Sequence, residues 1–177
     1  MTDKLEWIKS VLKTTPERWL SLTEMLPAEL LNAPPAPKEW SAMQCLHHLL
    51  DLEILVFPFR MRRILAGQEI PGFDPETQTT PFDENQSPVT TAWKFNQLRQ
   101  ESMQLMGSLS SSDLESQGRH AELGVVTLSE LLHEWAAHDL MHTMQAERAL
   151  MQPFIRGCGP WQRYFEEHKV SQNPKSE

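Results

Sequence analysis

This sequence predicts an all-α fold, a four-helix bundle with a short C-terminal helix, and three observations carry the prediction. Leu, Met, Glu and Gln are plentiful while β-branched runs are scarce, a balance that favours helix over sheet. Two capping boxes, Ser41 with Gln44 and Thr127 with Glu130, each open a long stretch with apolar residues at helical spacing. Hydrophobic residues make up 40% of 177 positions, with six Trp, nine Met and seven Phe. That is enough apolar side chain for one domain over residues 1–170 to bury a core without disulfides or a structural metal.

The first helix is expected over residues 4–26, with Thr15-Pro16-Glu17 placing a cap and a first-turn proline inside it, hence a kink or restart near Pro16. Residues 32–39, with Pro34, Pro35 and Pro37, read as a stiff connection. Ser41 then caps a second helix running to about Ala66 and ended by Gly67. Residues 68–88 are rich in Pro, Thr, Asp and Gln and read as a long loop, a kind of segment often tied to function. A third helix follows over residues 89–109, then a Ser-rich turn at residues 108–112. Thr127 caps a fourth helix reaching about Met151, and Gly157 to Pro160 breaks the chain before a short helix over residues 161–168. Residues 171–177 are polar and expected to be a disordered tail.

Charge and cysteine content narrow the function. A formal net charge of −8 without a block of Lys or Arg repels phosphate backbones and anionic membranes, so neither nucleic acid nor membrane is the expected partner. Two cysteines, Cys45 and Cys158, without CxxC spacing, fit a reducing cytoplasm. The N-terminal residues are charged and resemble no signal peptide, and the longest apolar run, residues 54–59, is far too short to span a bilayer. The sequence lacks a G-x-S-x-G elbow, a phosphate loop and GxGxxG.

Histidines carry the chemistry. On a 3.6-residue wheel Leu131, Trp135, His138, His142, Gln145 and Ala149 share one narrow arc, and His138 and His142 lie one turn apart, about 6 Å along the axis. Such rings can converge on one ion, whereas His133 projects to the opposite side. On the second helix His47 and His48 point about 100° apart. His48 shares its arc with Cys45, Leu52, Leu55 and Phe59, so His48 is the expected ligand, while His47 lies on the polar flank beside Asp51. A single histidine is more often a hydrogen-bonded core or surface residue than a ligand, but an i, i+4 pair on an apolar face is a stronger signal for metal. The spacing is not H-E-x-x-H, since Asp139-Leu140-Met141 fills the gap without a protease base.

Trp40-Ser41, His48-Leu49, Asp51 and Glu53, followed far downstream by His138-x3-His142 and Gln145, resemble the DinB-like superfamily of bacterial metalloenzymes, also called YfiT-like. The Thr15-Pro16 pair and the proline-rich linker before Trp40 agree, and the resemblance spans residues 5–165. It implies an up-down-down-up bundle, a homodimer, and one divalent transition metal (zinc first, nickel or iron otherwise) on His48, His138 and His142. It also implies a small-molecule substrate and, from the family's characterised members, transfer of a low-molecular-weight thiol of the bacillithiol or mycothiol type.

Three imidazoles leave an open coordination position, the mark of a catalytic site. It suits hydrolysis by an acidified water or attack by an acidified thiol, and the residues alone leave both open, as they do a metal- or ligand-binding protein without catalysis. Asp51 at i+3 from His48, Glu134 at i−4 from His138 and Asp139 at i−3 from His142 are spaced to hold the ligand rings, although charged helix residues mostly stay solvated. Gln145, on the ligand stripe, can bond substrate, water or another side chain. Cys45, one turn before His48, is a conceivable fourth ligand but more commonly a small buried hydrophobe. A second apolar arc on this helix, Leu46, Leu50, Ile54, Phe57 and Met61, means either a central position in the bundle or a dimer face.

Overall fold

A computed structural model describes residues 2–74, 78–83 and 85–171. Its helices are α1 (Thr2–Met25), α2 (Ala28–Asn32), α3 (Ala42–Leu55), α4 (Phe57–Leu65), α5 (Pro88–Gly107) and α6 (Leu128–Gly157). A hairpin, β1 (Gln117–His120) against β2 (Gly124–Thr127), precedes α6, and a 3-10 segment, Gly159–His168, follows it. No described helix is long and apolar enough to cross a membrane.

Both capping boxes form as the sequence expects: Gln44 N donates to Ser41 Oγ, and Glu130 N to Thr127 Oγ1. Two proline expectations need correction. The second helix is not continuous to Ala66. Pro58 has no N–H for the Ile54 carbonyl, so the chain breaks at Val56 (φ −120°, ψ −74°) and restarts as α4. At Pro16 the reverse holds: α1 runs through it as one helix. The proline leaves the Leu12 carbonyl, four residues back, without its helical donor, and the buried Arg99 Nη1 supplies one at 2.8 Å.

Two apolar clusters set the helix directions. One joins Ile8 and Leu12 of α1 with Leu52, Phe57 and Met61 of α3–α4, Met106 of α5, and Leu128 and Trp135 of α6. The other joins Trp19 and Leu22 with Ala42 and Leu46, Ala92 and Phe95, and Ala146 and Leu150. From the first cluster to the second the numbers rise along α1 and α6 and fall along α3 and α5. The order is therefore up, down, down, up. Of the second-helix arc with two readings, Leu46, Leu50, Phe57 and Met61 are buried within this one chain, which accounts for the arc by central packing.

The hairpin was not expected from the sequence. Its strands pair from Gln117 opposite Thr127 to His120 opposite Gly124. The 68–88 segment adds to it, with Ile70 N donating to Arg119 O and Ala121 N to Ile70 O. Gly118 makes this docking possible, since a Cβ there would meet Ile64 and Ile70 at 3.0 Å. Helix α6 extends six residues past the expected Met151 end, through Pro153. Its Arg148 and Gln152 side chains donate to the His168 and Lys169 carbonyls, which ties the final segment onto α6. Most of the expected disordered tail, residues 172–177, lies outside the described residues.

Candidate metal centre

The break at Val56 leaves α3 free to run beside α6 with His48 facing His138 and His142. One ligand-capable atom from each lies within 4.8 Å of the others. Ring centroids are 5.3 Å apart for His48–His138, 4.6 Å for His48–His142 and 4.4 Å for His138–His142. Three nitrogens on a tetrahedral ion with bonds of about 2.1 Å stand about 3.4 Å apart, so small ring rotations bring these into coordination distance.

Aromatic walls hold the rings in place. Trp40, just before the α3 cap, stacks on His142 at 5.7 Å and touches His48 at 5.1 Å. Phe57, at the α4 start, meets His138 at 5.8 Å and stacks on Trp135 at 4.9 Å. Burial, then the mutual repulsion of the three rings, lowers the His48 pKa to about 3. The same causes bring His138 to about 4, and burial lowers His142 as well. All three are therefore neutral at pH 7, the form whose lone pairs bind a cation.

Gln145 Oε1 lies 2.9 Å from His142 Nδ1. A carbonyl oxygen only accepts, so Nδ1 carries the proton and Nε2 presents a lone pair. Nδ1 of His138 is buried and has no protein partner among the described residues. A sealed imidazole nitrogen left unsatisfied costs about 1–3 kcal/mol, and a cation is a group that would satisfy this all-nitrogen donor set. On these grounds the residues present fit a divalent transition metal.

The carboxylates singled out by spacing take other partners. Asp139 is 1% exposed, and both its oxygens bond Arg99, at 2.6 and 3.1 Å, instead of reaching His142. Asp51 accepts from Thr80 N at 3.1 Å and Thr80 Oγ1 at 2.8 Å, and lies 3.5 Å from His47 Nδ1, so it clasps the 68–88 segment rather than His48. Glu134 is exposed and faces the Arg60 charge, with no bond to His138. His47 stands outside the trio, 3.1 Å from Thr80 Oγ1, and His133 bonds the Ser129 carbonyl. Cys45 belongs to the core, its thiol pushed up to about 12 by burial, and it stands outside the cluster that His48, His138 and His142 form.

The cluster borders a cleft at His48. A cleft of about 350 Å³ is lined by Trp40, Gln44, His47, His48, Asp51 and residues 79–82. Sequence reasoning did not find Thr80 or Arg99. Nothing in the local pattern marks Thr80, and Arg99 sits in an otherwise polar stretch of α5.

A family model described as the DinB superfamily matches residues 12–146, which include all three histidines. The fold is similar, with a TM-score of 0.75 at 18% identity over 87% of this chain and 89% of the other, to YfiT from Bacillus subtilis. That protein is described as a probable metal-dependent hydrolase with an unusual four-helix bundle topology. No curated protein sequence is significantly similar to the chain.

Proposed function

The chain belongs to the DinB superfamily, and from that premise we propose that it is a metal-dependent enzyme acting on small molecules. In this reading His48, His138 and His142 hold one divalent transition metal, zinc first, and the reaction is S-transfer from a low-molecular-weight thiol to an electrophile. The observation that carries the metal is the convergence of three neutral imidazoles beside an open cleft. When bound, such an ion supplies Lewis-acid chemistry at its open positions, acidifying a water or a thiol.

The protein's own residues do the rest. Gln145 fixes the His142 tautomer, Trp40 walls off two of the rings, and the Asp51–Thr80 clasp sets residues 79–82 along the cleft mouth. No carboxylate bonds any of the three rings among the described residues, because Asp51 and Asp139 are committed elsewhere. A nucleophile that needs a strong base is thus less suited than a thiol, whose free pKa of about 8.5 is already near neutrality. The second reading, hydrolysis, draws support from the description of the similar structure and from His47, whose ring lines the cleft and could accept a proton.

Pairing of two copies belongs to the same proposal, supported by Leu140, Met141 and Met144 standing exposed on α6. Sedimentation at twice the 20.4 kDa chain mass is the expected outcome, and a clean monomer would remove this part. The main test starts with protein purified without an affinity tag. About one equivalent of metal per chain is expected, and less than about half counts against the centre. Loaded protein is then assayed for conjugation of bacillithiol, mycothiol or cysteine to monobromobimane, and for hydrolysis of p-nitrophenyl acetate. Thiol conjugation supports the first reading, ester cleavage alone the second.

A further inference from the structure

Between the two apolar clusters, at the waist of the bundle, lies a buried polar knot that touches all four long helices. Arg99 of α5 is 1% exposed, and its guanidinium spends its donors on three partners. Nε bonds Glu53 Oε2 of α3 at 2.9 Å, Nη1 and Nη2 grip Asp139 of α6, and Nη1 reaches the Leu12 carbonyl that Pro16 leaves open on α1. The cation also lies over Trp135 at 5.3 Å, the ring stacked on the Phe57 that meets His138.

We propose that Arg99 is a positioning residue for the histidine centre, holding α3 and α6 at the rotation and height at which His48 meets His138 and His142. The inference rests on the metal reading above. Asp139 follows His138 directly, so the two-pronged grip on its carboxylate fixes the rotation of α6 about its axis. Glu53 is five residues beyond His48, about 7.5 Å along α3, and ties that helix to the same guanidinium. The lever is short. A rotation of α6 by about 10° sweeps a ring standing about 6 Å from the axis through about 1 Å. Coordination tolerates only about 0.2 Å, so a loosened waist reaches the metal before it unfolds the chain.

Arg99 is preferred to an apolar residue for this task because a planar fork has orientation as well as strength. Apolar residues in place of the whole knot could match it in stability, whereas loss of Arg99 alone leaves Glu53 and Asp139 buried and unpaired, so metal affinity is compared among variants that stay folded.

The test is titration of metal-free protein with Co(II) alone, read by its visible absorption, with Zn(II) competition for affinity. Arg99→Met, Arg99→Lys and the milder Asp139→Asn are compared with Leu31→Ala, a core cavity in α2 that weakens the fold without removing a member of the ion-pair knot. At temperatures where circular dichroism shows every variant folded, the three waist variants are expected to bind at least tenfold more weakly, with an altered Co(II) spectrum. Leu31→Ala is expected to match wild type. Asp139→Asn keeps the test open should the Arg99 variants fail to fold. Wild-type affinity and spectrum in folded waist variants, or full rescue by Lys, would overturn the inference while leaving the metal reading intact. A wild-type chain that binds no Co(II) or Zn(II) would overturn both.

Discussion

Replacing Thr80 with valine removes one hydroxyl and nothing else of size, and the structure says what that hydroxyl holds. It donates to Asp51 Oδ1 at 2.8 Å and lies 3.1 Å from His47 Nε2, while the Thr80 backbone N–H separately bonds Asp51 Oδ2. Asp51 is 1% exposed, so water cannot replace the lost donor while the clasp stays closed. A hydrogen bond to a charged group is worth about 1.5–3 kcal/mol, and the acceptor is left partly unsatisfied, which points to a loss of about 2 kcal/mol. For a chain of this size that is a melting shift of about 5 °C. Urea unfolding of metal-free protein measures it, with Thr80→Ser as the control that restores the hydroxyl. Limited proteolysis within residues 68–88 should speed up in Thr80→Val alone, because Thr80 then keeps its backbone bond to Asp51 and loses the hydroxyl bond. A valine variant within 0.5 kcal/mol of wild type, with unchanged proteolysis, would refute the clasp.

The remaining predictions concern the histidine centre. His142→Ala and His138→Ala should each lose stoichiometric metal by elemental analysis, whereas His133→Ala and His47→Ala should keep it; loss in His47→Ala alone would reassign the α3 ligand. Gln145→Leu should cut metal affinity about 10–100-fold with little change in the melting temperature, since it frees the His142 tautomer without opening the core. Acid should weaken the metal-free fold. Burial and ring–ring repulsion hold His48 near 3 and His138 near 4, below their ordinary value of about 6.5, so the unfolded chain takes up protons that the fold refuses. Stability contributed by these groups is complete above about pH 6.5 and falls as the pH drops towards 4 and then 3. Replacing all three histidines with glutamine should flatten the urea midpoint between pH 7 and pH 5 relative to wild type, and an equal slope in both would contradict the assignment.

What was readable in the sequence was local or periodic. Ser41 with Gln44 and Thr127 with Glu130 announce helix starts because a cap is a contact three residues long. The choice of His48 over His47 follows from a wheel, because a ring on the apolar arc has to face the bundle. The carboxylates failed the same logic. Asp51 and Asp139 stand at helical distance from His48 and His142, yet each is claimed by a partner from another part of the chain, Thr80 from 29 residues away and Arg99 from 40. Spacing lists who could meet on one helix and says nothing of rivals arriving from elsewhere. The hairpin escaped for a related reason: its two strands are only four residues each, and the Ile70 that docks on them arrives from about 50 residues upstream, where Gly118 leaves room for it.

The two prolines make the same point more sharply. Pro16 and Pro58 remove one helical hydrogen bond each, and a rule that a proline breaks a helix treats them alike. They differ in what lies opposite the freed carbonyl. At Leu12 a buried guanidinium donates to the freed carbonyl and the helix continues. At Pro58 the chain turns instead, and α4 delivers Phe57 against His138 and Trp135. The break that ends α3 thus builds one wall of the histidine centre, and the carbonyl that Pro16 leaves open on α1 takes a donor from the waist. A Pro16→Ala substitution returns an N–H to Leu12 and so competes with Arg99 for that carbonyl. A carbonyl has two lone pairs, so both donors can be served and α1 should lose nothing. The chain should then melt within about 1 kcal/mol of wild type, whereas a loss of 2 kcal/mol or more would mean that the waist depends on the vacancy itself.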